Sequence, residues 1–483
     1  MIQITDGITR MPEWRMKEPV NFSLNAGQHI AIVGPNGGGK SMLVDIITGA
    51  HPLLPTVAAD IRPNNIRYIT FRDSYGAYDG SYYLQQRWNQ TEIDDDMPTV
   101  GEELERAFLM TGNDTQERRD FQQHLYDLFS IHYLLDSKVI LMSSGETRKF
   151  QLIKALLTKP SVLIMDNPFI GLDVATRDQL TDLLTTLSKE KGLQIILVLS
   201  KMASIPSFIT HMVRVNDMTV APAVGRPFSS NIQPTESINQ PIYPMDFESK
   251  TTSDCEEIIR LNKVTIRYGE RTILSNLDWV VKRGEHWALE GQNGSGKSTL
   301  LSLICADNPQ AYACDISLFG HHRKQSSVSI WDIKKHIGYV SPEMHRAYQR
   351  DMPLIRIVAS GLQDSVGLYV TPKPEDYDRC RQWMRIFGID HLADKTFLKV
   401  SSGEQRLALL ARAFVKNPDL LILDEPLHGL DEGNSQRVKD IINSYSQRPG
   451  VTLIMVTHYQ EELPECIDHH LTLYRQNHIT SKP

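Results

Sequence analysis

The chain has few cysteines and no long apolar run. Its five cysteines are scattered among 483 residues with no CxxC pair, so neither a disulfide framework nor a zinc site is indicated. The longest apolar runs, such as 195–199 and 420–423, have the length of strands, whereas a membrane-spanning helix needs about 20 residues. The N-terminus also lacks a signal-peptide pattern. These absences predict a cytoplasmic protein without a membrane span.

An excess of basic residues is also missing. The 51 Lys and Arg residues stand against 58 Asp and Glu, a formal net charge of −7, which provides no general attraction to nucleic acid. A mild basic cluster at 321–324 and 334–335 is read more simply as a solvated face. We therefore expect no nucleic-acid partner. The length allows two or three domains with buried cores.

Two glycine-rich stretches each join an apolar run to a helix-like run, which is the context of a phosphate-binding P-loop. Their glycines let backbone N–H groups turn toward phosphates, the lysine reaches the β- and γ-phosphates, and the serine hydroxyl ligates Mg²⁺. A polyphosphate ligand and Mg²⁺ are therefore predicted, with Ser41 and Ser298 at the metal. The predicted loop contacts are Gly34, Asn36, Gly37, Gly39, Lys40 and Ser41, and then Gly291, Asn293, Gly294, Gly296, Lys297, Ser298 and Thr299.

The two loops belong to an internal repeat. Lys297 follows Lys40 by 257 positions, and three later pairs share an offset of 258: Gly145 and Gly403, Asp166 and Asp424, Asp173 and Asp431. Four motifs in order and register predict a tandem duplication of one domain.

Each half alternates strand-like and helix-like segments, which predicts an α/β fold with a mainly parallel sheet. Antiparallel strands are expected first, at 2–8 and 257–268, and apolar strands at 194–199 and 452–456 are expected to close the core. Helices are predicted at 100–110, 121–128, 147–157, 354–362, 375–387 and 405–415. The predicted domains are 1–220 and 255–483. The segment 221–254 is rich in Pro, Ser, Asn and Gln and is interpreted as a linker, or alternatively as a surface loop of the first domain.

The ordered motifs resemble those of the ATP-binding cassette (ABC) ATPases over nearly the whole chain except the linker. Each half has a P-loop, then Ser-Ser-Gly-Glu, then an apolar run ending in Asp, then Gly-Leu-Asp. The family signature reads Leu-Ser-Gly-Gly-Gln, so Ser here replaces its first Gly. The resemblance implies two tandem P-loop domains, each with a helical subdomain, that pair head to tail. Each ATP would then lie between one P-loop and the other domain's signature, formed by Ser143, Ser144 and Gly145 or by Ser401, Ser402 and Gly403.

The resemblance assigns a full set of catalytic roles to the second half. Asp424 would hold Mg²⁺ through water, and Glu425 would orient or deprotonate the attacking water. His458 would contact the γ-phosphate together with Lys297. Tyr268 stands where the family stacks an aromatic ring on adenine.

The first half departs from this pattern. Asn167 stands in place of Glu425, Ser200 in place of His458, and Met11 in place of Tyr268, with Trp14 as an alternative aromatic. An amide carries no charge and takes no proton. Lys40, Ser41 and Asp166 remain, with Asp166 as the metal residue. We therefore predict that this half binds Mg-ATP and that hydrolysis occurs at the other site, unless neighbouring residues compensate.

The resemblance leaves two roles open. Within the family the chain most resembles tandem cassettes associated with molybdate transport and photorepair, on the stretches 143–149, 330–341 and 422–431. This favours an ATPase that powers a membrane permease from the inner face of the cytoplasmic membrane, although no residue is recognisable as a molybdate ligand. Pro342 replaces the glutamine that couples the family to permeases, and the first half has 69–73 there. The alternative is a soluble ATPase with a regulatory, translation-related or nucleic-acid-related role.

Overall fold

The computed structural model describes residues 1–55, 57–71, 97–139, 142, 144–190, 192–228, 255–268, 271–324, 328–342, 344, 348, 351–364 and 372–474, excepting the side chains at 144, 203 and 271. The chain divides into a first unit, Met1–Gln233, and a second unit, Pro234–Pro483. Most of the predicted linker lies outside the described residues. The domain limits 1–220 and 255–483 therefore stay predictions.

The first unit consists of strands, five helices and short 3-10 turns within the described residues. The strands are β1 (Ile2–Gly7), β2 (Val20–Leu24), β3 (Ile30–Val33), β4 (Ala59–Ile61), β5 (Ile66–Thr70), β6 (Val162–Asp166), β7 (Gln194–Leu199), β8 (His211–Asn216), β9 (Thr219–Val220) and β10 (Val224–Gly225). The helices are α1 (Lys40–Thr48), α2 (Val100–Met110), α3 (Gln116–Phe129), α4 (Ser144–Leu156) and α5 (Val174–Leu187).

Two sheets organise the first unit. A small antiparallel sheet has the order β2-β1-β4, and the alternating burial of β1 and β2 places one face of it on the core. The main sheet has the order β10-β8-β3-β7-β6-β5, and its neighbours from β8 to β5 are parallel. All residues of β3 and β7 are buried, which is typical of a parallel sheet covered on both faces.

The second unit repeats this construction. Its strands are β11 (Glu257–Tyr268), β12 (Arg271–Lys282), β13 (His286–Gly291), β14 (Asp315–Leu318), β15 (His321–His322), β16 (Ile337–Val340), β17 (Leu420–Asp424), β18 (Thr452–Val456) and β19 (His469–Leu473). The helices among its described residues are α6 (Lys297–Ile304), α7 (Ile330–Lys334), α8 (Leu354–Ser360), α9 (Pro374–Ile386), α10 (Ser402–Phe414) and α11 (Glu432–Ser446).

The sheet orders confirm the duplication. In the second unit an antiparallel sheet β12-β11-β14-β15 accompanies a parallel sheet β16-β17-β18-β13-β19. This parallel order matches β5-β6-β7-β3-β8 of the first unit strand for strand. Helices α8, α9 and α10 pack around one apolar core that includes Trp383, Phe387 and Phe414. The predicted α/β fold, with an antiparallel part and helices beside a mainly parallel sheet, is confirmed.

Two local predictions were wrong. The strands at 194–199 and 452–456 exist with those bounds, but they lie inside their sheets. Strands β8 and β19 follow them and pair with the far side of the P-loop strands. The signature helices begin at Ser144 and Ser402, not at 147 and 405, because the signature itself forms the first helical turn.

Candidate nucleotide sites

Each P-loop joins a strand to the first turn of a helix. In the second unit β13 leads to α6, which begins at Lys297. In the first unit β3 leads to α1, which begins at Lys40. The residues that cap these helices, Gly39 and Gly296, have φ of 102° and 101°, a region that favours glycine. The two loops therefore direct the first N–H groups of two helices toward an anion in the same way.

The P-loop lysines are buried and lie across their own loops. The Lys297 ammonium donates to the carbonyl oxygens of Gly291 and Gln292 at 2.6 and 3.0 Å. Lys40 makes the equivalent pair of bonds at 2.7 and 2.8 Å. The next residues, Ser41 and Ser298, are exposed in the first turn, whereas Thr299 is buried. A buried ammonium at the head of a helix N-terminus is suited to a polyphosphate.

Parallel pairing brings the catalytic positions of the second unit to the edge where its P-loop begins. Leu289 pairs with Val456, and Val456 pairs with Asp424, so β13, β18 and β17 end at the same edge of the sheet. Residues that follow these strands, Glu425 and His458, therefore stand at the carboxyl edge, where ligands of parallel sheets bind. The Asp424 side chain is buried at this edge.

The Glu425 carboxylate lies between two imidazoles. Its Oε1 is 3.2 Å from His458 Nε2, and its Oε2 is 3.5 Å from His428 Nδ1. Burial raises the pKa of this carboxyl, but the hydrogen bond from His458 and the electrostatic interactions with His428, His458 and Arg406 outweigh burial and lower the pKa to about 2. Glu425 is therefore held as a carboxylate.

The sequence did not single out Arg406 or His428, and the structure places both beside Glu425. Arg406 is a buried residue of α10 whose guanidinium donates to the backbone oxygens of Ser341, Asp424 and Glu425 at 3.1, 2.8 and 2.5 Å. It thereby ties the signature helix to the ends of β16 and β17. The signal in the sequence was a charged residue among the apolar positions of an amphipathic helix.

The first unit replaces these charges with neutral groups. Asp166 Oδ1 accepts from the Asn167 amide at 2.8 Å, and its Oδ2 accepts from the Tyr68 hydroxyl at 3.1 Å. The Ser200 hydroxyl lies 3.3 Å from Asn36 Oδ1 and 3.4 Å from Asn167 Oδ1. Asn167, Ser200 and the P-loop residue Asn36 thus form one neutral cluster, and at these positions no carboxylate replaces Glu425.

The second signature is a helix N-cap as well as a predicted nucleotide contact. The Ser401 hydroxyl accepts from the Glu404 N–H, and the Glu404 carboxylate accepts from the Ser401 N–H at 2.7 Å. This reciprocal pair is a capping box, and Ser402 and Gly403 occupy the first turn. In the first unit Gly145 lies in the first turn of α4. Ser143 and the Ser144 side chain lie outside the described residues.

The two adenine positions differ in construction. Tyr268 is half-buried at the end of β11, and its hydroxyl accepts from the Asn308 amide at 3.0 Å. Burial raises the pKa of this phenol. In the first unit Met11 is largely exposed, whereas the Trp14 ring stacks on His51 with centroids 4.2 Å apart and an angle of 9°. Of these two residues, Trp14 is therefore the one that provides a packed aromatic ring.

These residues fit Mg-ATP. Two helix N-termini with buried lysines suit its phosphates, and a serine hydroxyl with a buried aspartate suits Mg²⁺. The fold and the sites together define a tandem P-loop ATPase. The sequence profile of the ABC transporter family matches residues 18–170 and 274–428, and the chain belongs to that family.

Relatives of the same length share the tandem arrangement. The chain is 37% identical to "ABC transporter ATP-binding protein ModF" of Escherichia coli (strain K12), over 97% of this chain and 96% of that protein. It is 29% identical to an uncharacterized ABC transporter ATP-binding protein of Schizosaccharomyces pombe, over 93% of each. The family and the ATPase activity predicted from the sequence are therefore confirmed.

Solved tandem structures share the fold. One is an archaeal ribosome recycling factor in complex with a ribosomal stalk protein, with a TM-score of 0.55 and 17% identity over 97% of this chain and 87% of that one. Another is ribosome-bound archaeal ABCE1, with a TM-score of 0.58 and 18% identity over 93% and 73%. In the part of this chain that the structure describes, no helix has both the length and the apolarity needed to cross a membrane.

Proposed function

We propose that this ABC ATPase binds two nucleotides and hydrolyses ATP at one of the two sites. The observation that carries the proposal is the contrast between Glu425, an ionised carboxylate beside His458, and Asn167, an amide beside Ser200. The two stand at equivalent positions of two similar sheets. A carboxylate can orient and deprotonate water, whereas an amide cannot.

The residues divide the chemistry among them. Lys297 and the N-terminus of α6 bind the phosphates, Glu425 orients the attacking water, and His458 lies beside it at the phosphate edge. Ser298 and Asp424 would hold Mg²⁺, which neutralises phosphate charge when bound. Ser41 and Asp166 are the equivalent pair in the first unit. Turnover should therefore stop in excess EDTA and return when Mg²⁺ is restored; equal turnover in EDTA would contradict these metal roles.

The composite arrangement is proposed from the family resemblance. Ser143, Ser144 and Gly145 would complete the site of Lys297 and Glu425, and Ser401, Ser402 and Gly403 would complete the site of Lys40. What supports this role in the second signature is its position in the first turn of α10, because a helix N-terminus attracts phosphate.

The transport role rests on kinship. The Escherichia coli relative is named as an ABC transporter ATP-binding protein, and we propose that this chain likewise powers a membrane permease. Molybdate as the cargo follows from the resemblance only, since no residue of the described sites is suited to it in particular.

A second candidate is a soluble ATPase without a permease. Pro342, the second residue after β16, stands where the family places the coupling glutamine, and proline has no side-chain amide. Two of the similar tandem structures are named as ribosome-associated proteins. At 17–18% identity, their similarity is evidence for the fold alone.

Fractionation separates the two candidates. The chain should remain with membranes that carry a cognate permease and should leave membranes that lack it. The matched control is Lys297→Ala, a chain that should still fold but lacks the P-loop lysine of the second unit. A chain that leaves both membranes and co-sediments with ribosomes in ATP would support the second candidate and contradict the first.

A further inference from the structure

The turn that follows Asp424 folds one histidine back onto Glu425. The His428 N–H donates to the Glu425 carbonyl at 3.1 Å, and this turn brings His428 Nδ1 to 3.5 Å from Glu425 Oε2. His458 approaches the other oxygen from the end of β18. The side chains of Glu425 and His428 are each 18% exposed and that of His458 is 6% exposed, so solvent competes little for these contacts.

The first unit shows that the turn itself does not require histidine. Asn167 has φ of 49° and Glu425 has φ of 48°, and the Ile170 N–H donates to the Asn167 carbonyl at 3.3 Å. The backbone is thus the same, with Ile170 in place of His428. Within one chain, the imidazole accompanies the carboxylate and the aliphatic side chain accompanies the amide.

Contacts at both oxygens of Glu425 fix the orientation of its carboxylate, whereas a contact at one oxygen leaves the last torsion of the side chain free. A carboxylate held only by His458 can rotate about its last torsion, which is broad for Glu. A second contact at Oε2 fixes the plane of the carboxylate and hence the direction of its lone pairs. Reaction rates depend steeply on this geometry, and a misplacement of about 1 Å can cost roughly 10²-fold.

We propose that His428 is a positioning residue, which orients the Glu425 carboxylate for attack by water. This rests on the proposed role of Glu425 as the base. It predicts that loss of the imidazole lowers kcat and leaves the KM for ATP nearly unchanged, because His428 acts on the base and not on the nucleotide.

The test compares His428→Ile, which copies the first unit, with His428→Asn, whose amide nitrogen is bonded to Cγ as Nδ1 of His428 is. The KM and kcat for ATP are measured with saturating Mg²⁺. His428→Ile should lower kcat about 10-fold to 100-fold with KM within about twofold. His428→Asn should recover most of the loss. An unchanged kcat in His428→Ile, or a His428→Asn as slow as His428→Ile, would overturn the proposal.

A double-mutant cycle shows whether His428 acts through Glu425. In a Glu425→Gln background, His428→Ile should cause no further loss of the residual rate. An equal loss in both backgrounds would mean that His428 acts elsewhere, and the proposal would be wrong. If Glu425→Gln keeps full activity, Glu425 is not the base, and the proposed function is contradicted together with this inference. If His428→Ile keeps full activity and Glu425→Gln does not, the role of Glu425 is supported and the role of His428 is contradicted.

Discussion

Glu425 and Asn167 occupy the same strained backbone position. Both have φ near +50°, where asparagine is tolerated and a longer side chain such as glutamate is unusual. The Glu425 N–H donates to the Val456 carbonyl at 2.9 Å, and Arg406 binds its carbonyl. These bonds hold Glu425 in a conformation that costs of order 1–3 kcal/mol, which is reasonable at a residue whose direction matters for chemistry.

Tyr268 provides a test of adenine recognition at the residue scale. Tyr268→Ala should raise the KM for ATP more than it lowers kcat, because stacking contributes alike to ground and transition states. Tyr268→Phe is the matched control: it keeps the ring and loses the hydroxyl that accepts from Asn308, so its KM should stay close to that of the wild type. Steady-state kinetics measures both. An unchanged KM in Tyr268→Ala would place adenine elsewhere.

The residues that sequence could reveal were those in fixed motifs. The P-loops follow from their motifs, and the repeat spacing pairs Glu425 with Asn167. The roles of these two residues follow from the family resemblance. The role of His428 could not be predicted in this way, because its contact with Glu425 depends on a turn with positive φ that no sequence motif marks. For the second signature, the sequence analysis predicted the nucleotide contact but not the start of the helix. Ser401 and Glu404 have the spacing of a capping box, and this cap starts the helix three residues earlier than predicted.

At the scale of elements, a buried polar network joins α10 to its neighbours in the second unit. The Arg412 side chain is 2% exposed, and its guanidinium donates to the Tyr348 hydroxyl at 2.9 Å and to Ser360 Oγ at 3.1 Å. Asp364 lies 3.8 Å from Arg412 and 3.4 Å from Lys416. The network thus connects the signature helix with α8 and with the segment after β16.

Removal of Arg412 should destabilise the second unit. Arg412→Ala leaves Tyr348 and Ser360 without a shared donor and creates a cavity, so we expect a loss of about 3 kcal/mol or more. The matched control is Lys154→Ala, at the equivalent position of the first unit, where the side chain is 40% exposed and 3.6 Å from Glu103. That change should cost less than about 1 kcal/mol. Calorimetric unfolding compares the two, and equal losses would contradict this account.

Lys416 should make stability depend on pH. Burial lowers its pKa from 10.5 to about 8, against the attraction of Asp364. The unfolded chain therefore binds more protons than the folded chain between about pH 8 and 10.5, and the free energy of unfolding should rise with pH across that window. Lys416→Met should remove this rise. Denaturant unfolding at several pH values measures the difference between the two proteins, and parallel curves would contradict the prediction.

At the scale of the molecule, duplication explains most of the fold, and the difference between the two sites is the basis of the proposed function. The sequence predicted the repeat because four motifs recur in the same order, one pair at an offset of 257 positions and three at 258. It predicted the α/β class because strand-like and helix-like segments alternate in each half. It did not predict β8 and β19, since a strand that pairs beside β3 or β13 carries no motif of its own. Strand order also escaped it, because the neighbour of β17 is chosen by long-range pairing and not by local pattern.

The proposed difference between the two sites predicts different effects for substitutions of the two P-loop lysines. Lys297→Ala should abolish turnover, because it removes phosphate binding at the hydrolytic site. Lys40→Ala should act through weaker nucleotide binding, with its effect reduced at high ATP. ATPase rates at rising ATP concentration distinguish the two. A Lys40→Ala protein as inactive as Lys297→Ala at saturating ATP would contradict the unequal roles.

The central claim, that one site hydrolyses ATP and the other mainly holds it, is tested most directly by exchanging the two equivalent residues for glutamine. Glu425→Gln keeps the shape of the side chain but replaces its carboxylate with an amide, whereas Asn167→Gln keeps an amide. In both variants kcat is measured together with the nucleotide retained after gel filtration. Glu425→Gln should cut kcat about 10²-fold to 10⁴-fold and retain ATP, whereas Asn167→Gln should change kcat little because no base is lost. Near-full activity in Glu425→Gln, or an equal loss in Asn167→Gln, would contradict the account.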